Sequence, residues 1–360
     1  MSSKPETSFV NDDRAHAEAT AAATATESPT ADEQPSTRPA FTVQTRLLSA
    51  IGIVAAVLIA LVFPFPMEGR LWGEVFDLAH APVFFVTLLL IVALVDPRSV
   101  GWVSGGPPLV QLSFGGILML TILLMVIGAA GEFLQQFAGR HSNLSDVVAN
   151  SAGLLGGLCW IAAISERGLR RIGLRLISVG LVALVSLPSG LDAWACLQQQ
   201  QRFPQLASFE DHRELKSWSA VHSELQVNSD WSTDGNQSLN IQLRPSNYSG
   251  AAMIWFEADW RSYQTLLADV RNPNPFELQL VLKVFDRQHT LNKFPSSDRF
   301  ERLMLLPANT QKKISIDLSE IADGPRNRSM DLADIRGLEF YCLGISQPAT
   351  LQIDNLRLSD

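Results

Sequence analysis

The sequence predicts an α-helical transmembrane bundle of about five spans followed by an all-β sandwich. Three observations carry this expectation. Hydrophobic residues make up 47% of the 360 and charged residues only 18%, yet the mean hydropathy is just +0.13, as when a strongly apolar part is joined to a polar one. Long uncharged runs such as LLSAIGIVAAVLIALVFPF occur only before Gln198. After Gln198 the chain changes to short alternating runs, SLNIQL, ELQLVLKVFD, KKISIDL and LQIDNLRL among them, punctuated by Gly, Pro, Asn and Asp.

Residues 1–40 are rich in Ala, Thr, Ser and Pro without apolar periodicity, which predicts a disordered tail. No basic segment precedes an early apolar run, so no cleaved signal peptide is expected. Within a membrane domain at 41–197, spans are expected at about 47–65, 80–95, 109–131, 147–164 and 172–195. The first is long enough to cross a hydrocarbon core of about 30 Å at about 1.5 Å per residue. Arg38 and Arg46 precede the first span, Arg98 follows the second, and Arg167, Arg170, Arg171 and Arg175 separate the last two. The positive-inside rule then puts the amino-terminal tail in the cytoplasm and everything after the fifth span outside the cytoplasmic (inner) membrane. A short linker at 198–206 leads to an extracytoplasmic sandwich at 207–360.

With a net charge of −8 and no basic, aromatic-interleaved patch, nucleic acid is not an expected partner. Cys159, Cys196 and Cys342 lack metal-ligand spacing, although Cys196 and Cys342 would share an oxidising compartment and are candidates for pairing. The sandwich carries no nucleophile elbow, phosphate loop or metal-binding HExxH helix, so no enzyme is indicated there.

The stretch GEFLQQFAGRHSNLSDVVANSAGLLGG sets polar groups between two apolar runs. Glu132, Gln135 or Gln136, and Arg140 follow one another at the end of span three, Asp146 and Asn150 are four apart in span four, and Asp77 and His80 are three apart at the start of span two. In the expected topology all lie at the outer face. Ionisable groups at membrane depth are costly unless they pair or meet water, which points to a shared site. Helix capping and interfacial anchoring is the other reading of the same residues. Ala149, Gly153 and Gly157 form a small-residue stripe that would let a neighbouring helix approach. The pattern D77-L-A-H80 with G-E132-F-L-Q135-x(4)-R140-x(5)-D146-x(3)-N150-x(2)-G153 resembles the VanZ-like membrane proteins over about 47–164. The resemblance implies a polytopic envelope protein related to glycopeptide resistance, with Asp77, His80, Glu132, Gln135, Arg140, Asp146 and Asn150 as its polar cluster. The long tail, fifth span and outer sandwich depart from the simplest members.

From Phe209 to Ser359 the chain resembles the galactose-binding-like jelly-roll domains, including family 11 carbohydrate-binding modules, through its G-x-x-S-L strand entry and terminal I-D-N-L strand. That resemblance implies a structural calcium, for which Glu210, Asp211 and Asp354 stand where acids are needed. Sugar binding needs exposed aromatic platforms. Trp231 and Tyr248, beside turn-rich segments, are the candidates, whereas Trp255 and Trp260 are expected in the core. The preferred expectation is a non-catalytic envelope protein whose sandwich binds glycan or another envelope component and whose helices meet membrane lipids or a lipid-linked envelope molecule. Two alternatives stand beside it. One is a membrane-embedded enzyme acting on a lipid-linked envelope substrate at the outer leaflet through Asp77, His80, Glu132 and Arg140; the other is a structural anchor for a polysaccharide or envelope assembly complex, with an envelope assembly protein as partner.

Overall fold

The computed structural model describes residues 42–62, 69–100, 108–135 and 144–360. The tail expected at 1–40, Gln136 and Arg140 lie outside the described residues, as does the side chain of Gln135. Thr42–Asp360 forms one compact unit.

Five helices come first: α1 (Val43–Val62), α2 (Arg70–Val95), α3 (Phe114–Gln135), α4 (Leu144–Ser165) and α5 (Gly168–Gln201). All five are long and apolar enough to cross a membrane, by length and composition. The Thr42 hydroxyl accepts the Thr45 N–H (3.2 Å) and so starts α1. α2 begins ten residues before the expected span, because Arg70 and Glu74 form an i,i+4 pair (3.6 Å) that lets polar residues continue the helix. Asp77 and His80 therefore lie about two and three turns inside α2 instead of at its start.

Small residues decide how the helices approach. A side chain on Gly153 would place its Cβ 2.2 Å from the Ala81 carbonyl oxygen, and one on Gly157 would meet the Phe85 carbonyl at 3.3 Å. The expected stripe on α4 is thus the face pressed against α2. Gly156 faces α5, where the Ser178 hydroxyl donates to the Gly156 carbonyl (2.7 Å). Phe84, Leu88, Ile91, Val92, Leu154 and Leu158 fill the interior, while residues such as Met119, Leu176 and Leu184 point outward.

α5 has 34 residues, about 50 Å of helix, well beyond the ~30 Å of a hydrocarbon core. Its last turns occupy the first part of the expected linker, since four consecutive glutamines are compatible with helix and continue it to Gln201. β1 (Gln205–Ala207) follows almost at once. The remaining strands are β2 (Trp218–Val221), β3 (Ser223–Asn228), β4 (Ser238–Leu243), β5 (Ser246–Met253), β6 (Thr265–Asn272), β7 (Leu278–Asp286), β8 (Phe300–Leu306), β9 (Thr310–Asp317), β10 (Ile335–Ile345) and β11 (Ala349–Ser359). Two short helices, α6 (Arg287–Leu291) and α7 (Leu318–Ala322), interrupt them.

The strands form two antiparallel sheets. One runs β3-β4-β11-β6-β9 with β1 added along β11, and the other runs β2-β5-β10-β7-β8. Alternate residues of both close one core, with Leu239, Ile241, Leu266, Val270 and Ile353 of the first sheet facing Met253, Leu280, Leu282, Leu338 and Phe340 of the second. Trp260 is wholly buried in it, as expected, and donates its Nε1–H to the Glu257 carbonyl (2.9 Å). Trp255 is not: it is 39% exposed, because β5 ends at Met253 and the chain leaves the sheet there. The candidate Cys196–Cys342 pairing does not form. Both thiols are free, since Cys342 points into the sandwich core, where burial pushes its thiol up to about 12, and Cys196 lies on α5.

His289 of α6 is fully buried between the rings of Phe285 (4.9 Å) and Phe294 (5.3 Å). Burial lowers its pKa, the Lys283 and Arg299 charges lower it further, and Asp298 opposes them. An unfolded imidazole takes up its proton near pH ~6.5, whereas the native one does so only at lower pH. Stability is therefore lost as pH falls through that window. The melting temperature is expected to drop between pH 7 and 5, and His289→Phe to flatten that slope; an unchanged slope in the variant would rule His289 out as the cause.

Candidate functional site

The sandwich and the helices meet at a charged clamp. Arg70, the first residue of α2, donates to the Ser217 hydroxyl (2.9 Å) and to the Arg213 carbonyl (2.9 Å). Near the end of α5, the buried Asp192 accepts from Lys216 (2.5 Å) and lies 3.5 Å from the Arg213 guanidinium. Arg213, Lys216 and Ser217 all belong to one 3₁₀ turn, His212–Ser217. Glu214 of the same turn accepts from the Ser208 and Phe209 N–H groups (2.9 and 2.8 Å) and from Arg202 (3.2 Å). Charge-assisted bonds at both ends of a short turn fix the sandwich over the α2 and α5 ends.

Close below this clamp, α2, α3 and α4 bring five of the expected polar residues together. Asn150 donates from Nδ2 to Glu132 Oε1 (3.1 Å), and Asn150 Oδ1 lies 2.9 Å from His80 Nδ1. Glu132 is also 3.7 Å from that nitrogen. All three side chains are buried. Asp77 is exposed and Asp146 half-buried, and a carboxylate oxygen from each lies within 4.8 Å of the other and of a His80 ring nitrogen. Asp77 and His80 share a face of α2 because they are three apart. Asp146 and Asn150 share a face of α4, one turn before Gly153, where that helix touches the backbone beside His80.

A second set of groups lies on the outer face of the five-stranded sheet, and the sequence reading found only one of them. β10 turns Leu338, Phe340 and Cys342 inward, so Glu339, Tyr341 and Leu343 face out. Pairing then sets Leu343 opposite Tyr248, Tyr341 opposite Gly250 and Val281, and Glu339 opposite Lys283. The ring centroids of Tyr248 and Tyr341 are 6.3 Å apart, and those of His222 and Tyr248 5.1 Å. Gly250 must be glycine, because a Cβ there would lie 2.1 Å from the Phe340 carbonyl oxygen. The same Cβ would lie 2.4 Å from Tyr341 Cα and 2.7 Å from its Cβ, so the bare glycine is what lets Tyr341 pack against this strand. Tyr341 donates to Glu301 (2.8 Å), Lys283 to Glu339 (2.9 Å), and Arg299 approaches Glu301 at 2.8 Å. Burial, and then the bond to Glu301, push the Tyr341 phenol above its ordinary range, so it remains a neutral donor. Strand alternation in GLEFYC is the signal that could have found Tyr341.

Trp231, the other platform candidate, is elsewhere. It is half-buried and donates from Nε1 to Gln311 of β9 (3.0 Å), on the six-stranded sheet. The structure therefore does not bring Trp231 and Tyr248 to one surface. The acids expected to hold calcium have separate employments. Glu210 accepts the Asn236 and Gln237 N–H groups (2.7 and 2.9 Å). Asp354 accepts the Thr233, Asp234 and Asn355 N–H groups (2.5, 2.9 and 2.8 Å). Asp211 caps the 3₁₀ turn by accepting the Arg213 N–H (2.9 Å). These oxygens anchor the 230–237 loop and the turn.

The fold and these two sites define a class: five apolar helices carrying a two-sheet antiparallel sandwich clamped to their ends. No protein-family model matches the sequence, and no curated protein matches it. Among solved structures, an exo-β-agarase is similar over 43% of this chain and 24% of its own, at 15% identity and a TM-score of 0.36. The chain thus matches only about a quarter of that enzyme's length. A family 11 carbohydrate-binding module from Clostridium thermocellum, solved with a β-1,3-1,4-mixed-linked tetrasaccharide, is similar over 43% of this chain and 94% of its own, at 14% identity and a TM-score of 0.33.

Proposed function

We propose that this chain is a multi-pass protein of the cytoplasmic (inner) membrane, with its amino terminus inside, whose extracytoplasmic sandwich binds glycan or another envelope component on the outer face of its five-stranded sheet. The observation that carries this reading is the Tyr248–Tyr341 row beside Glu301, Glu339 and Lys283. Rings supply faces for the C–H sides of a sugar, and fixed carboxylates and an ammonium supply partners for its hydroxyls. The outward apolar residues of the helices favour a lipid surround, and the arginine distribution favours the orientation. The convergence of Asp77, His80, Glu132, Asp146 and Asn150 supports a VanZ-like helical part with membrane lipids or a lipid-linked envelope molecule as partner.

Full-length protein in nanodiscs, applied to an array of peptidoglycan and exopolysaccharide fragments, tests the glycan reading. Binding is expected, with Tyr341→Ala and Tyr248→Ala each weakening it about tenfold, as loss of roughly 1.4 kcal/mol of ring contact requires. Trp231→Ala should bind as wild type. Absence of binding, or tyrosine variants that bind unchanged, would remove the glycan assignment.

The buried His80–Asn150–Glu132 chain favours a second reading, a membrane-embedded enzyme acting on a lipid-linked substrate at the outer leaflet. Turnover of such a substrate that is lost in Glu132→Gln without loss of folded protein would select it.

A further inference from the structure

We infer that Asp77, His80 and Asp146 form a site for one divalent transition-metal ion, with Asn150 and Glu132 as the residues that orient its histidine. Three potential ligands, one nitrogen and two carboxylate oxygens, lie within 4.8 Å of one another. Movements of about 1 Å would bring them to the ~2.0–2.2 Å bonds that such ions take from imidazole and carboxylate.

The second observation comes from the histidine itself. Asn150 donates its amide N–H to Glu132, so the amide is oriented with Oδ1 toward His80. Oδ1 only accepts, and therefore His80 Nδ1 carries the hydrogen. The hydrogen-bond network thus assigns the Nδ1–H tautomer and leaves the lone pair on Nε2. Among the described residues none hydrogen-bonds to Nε2, and the His80 side chain is 8% exposed. A carboxylate or amide that holds one ring nitrogen so that the other can ligate is the usual outer support of a metal-bound histidine. Here that support is the Asn150–Glu132 pair, reaching His80 from two other helices.

Charge and access agree with a dication. Asp77 and Asp146, with Glu132 3.7 Å from the same imidazole, make the cluster acidic, which favours a cation near the end of the helices. Mixed imidazole and carboxylate ligation suits zinc, manganese or iron(II) better than calcium or magnesium, which prefer oxygen alone. Three protein ligands leave coordination positions open, and the exposed Asp77 gives a path to them. This site stands apart from the tyrosine face of the sandwich, so either can fail without the other.

Full-length protein in nanodiscs, stripped with a chelator, should bind one Zn2+ per chain by calorimetry, and Co2+ should give ligand-field absorption bands that Zn2+ displaces. His80→Gln should abolish the cobalt bands. Asp77→Asn, with its melting temperature measured alongside, should weaken zinc binding about tenfold or more, and Asn150→Leu by about 10–100-fold. Stoichiometry far from one, or His80→Gln and Asp77→Asn variants that bind as wild type, would overturn the assignment.

Discussion

Gly153→Ala is expected to separate α2 from α4 and to lower the melting temperature of the full-length protein more than any other single methyl group added to the helices. The new Cβ would sit 2.2 Å from the Ala81 carbonyl oxygen, 2.9 Å from its carbon and 3.0 Å from its Cα. All three are backbone atoms, so no rotamer change relieves the overlap and the helices must move apart. Overpacking commonly costs about 1–3 kcal/mol, and a rigid backbone obstacle puts this case at the upper end, about 3 kcal/mol. The consequence reaches the polar cluster, because Ala81 adjoins His80 and Asn150 is one turn before Gly153. Opening the contact lengthens the 2.9 Å His80–Asn150 bond. Zinc affinity should therefore fall with stability in Gly153→Ala, whereas Gly52→Ala, inside α1 at a glycine with nothing within 4 Å, should leave zinc affinity unchanged and should not lower the melting temperature. Equal melting temperatures for Gly153→Ala and wild type would contradict this packing.

Arg328→Leu should destabilise the sandwich by about 3–5 kcal/mol, the range for breaking a buried ion pair from one side. For a domain of this size that is a fall of roughly 10 °C in melting temperature. Asp286 is completely buried and accepts both Nη atoms of Arg328 (2.5 and 2.7 Å) and the Asp331 and His289 N–H groups (2.9 and 3.1 Å). Arg328 also donates from Nε to Asp298 (2.6 Å). Burial alone would raise the Asp286 pKa, but Arg328 and the two N–H groups outweigh it and hold the carboxyl below its usual range. The bond to Arg328 likewise holds Asp298 low. Carboxyls depressed in the native state contribute stability above the unfolded pKa of about 4, and that stability disappears as pH falls through the native values. Arg328→Leu should remove most of this acid sensitivity along with the stability. The double variant Asp286→Asn/Arg328→Leu should recover part of the loss, since it no longer buries an uncompensated charge. If Arg328→Leu melts as wild type, the pair contributes nothing.

Much of the helical part was legible because the signal is local. An uncharged run such as the one in α1 has no other way to satisfy its backbone in an apolar setting. The start of α2 was misplaced because Arg70, Glu74 and Asp77 depress the local hydropathy, while their pairing with each other and with the sandwich keeps the helix intact. Trp255 and Trp260 show the corresponding difference among strands. Both belong to the one short segment IWFEADW, but Trp255 falls just beyond the end of β5 and Trp260 faces the core. Composition cannot distinguish those positions.

The sequence by itself determined five apolar helices, the change to strands after Gln198, the polar residues between spans three and four, and the glycine stripe on α4. Each of these depends on spacing within about one helical turn or one strand pair, which is written directly in the order of residues. Only the tertiary structure decided that a His80 ring nitrogen and carboxylate oxygens of Asp77 and Asp146 come within 4.8 Å of one another, that Glu132 reaches His80 through Asn150, and that Tyr341 joins Tyr248 while Trp231 does not. These depend on the α2–α4 approach and on β10 pairing with β5 and β7, elements far apart in the chain. Such contacts are selected by the packing of whole faces, and no local pattern encodes which face will be the neighbour.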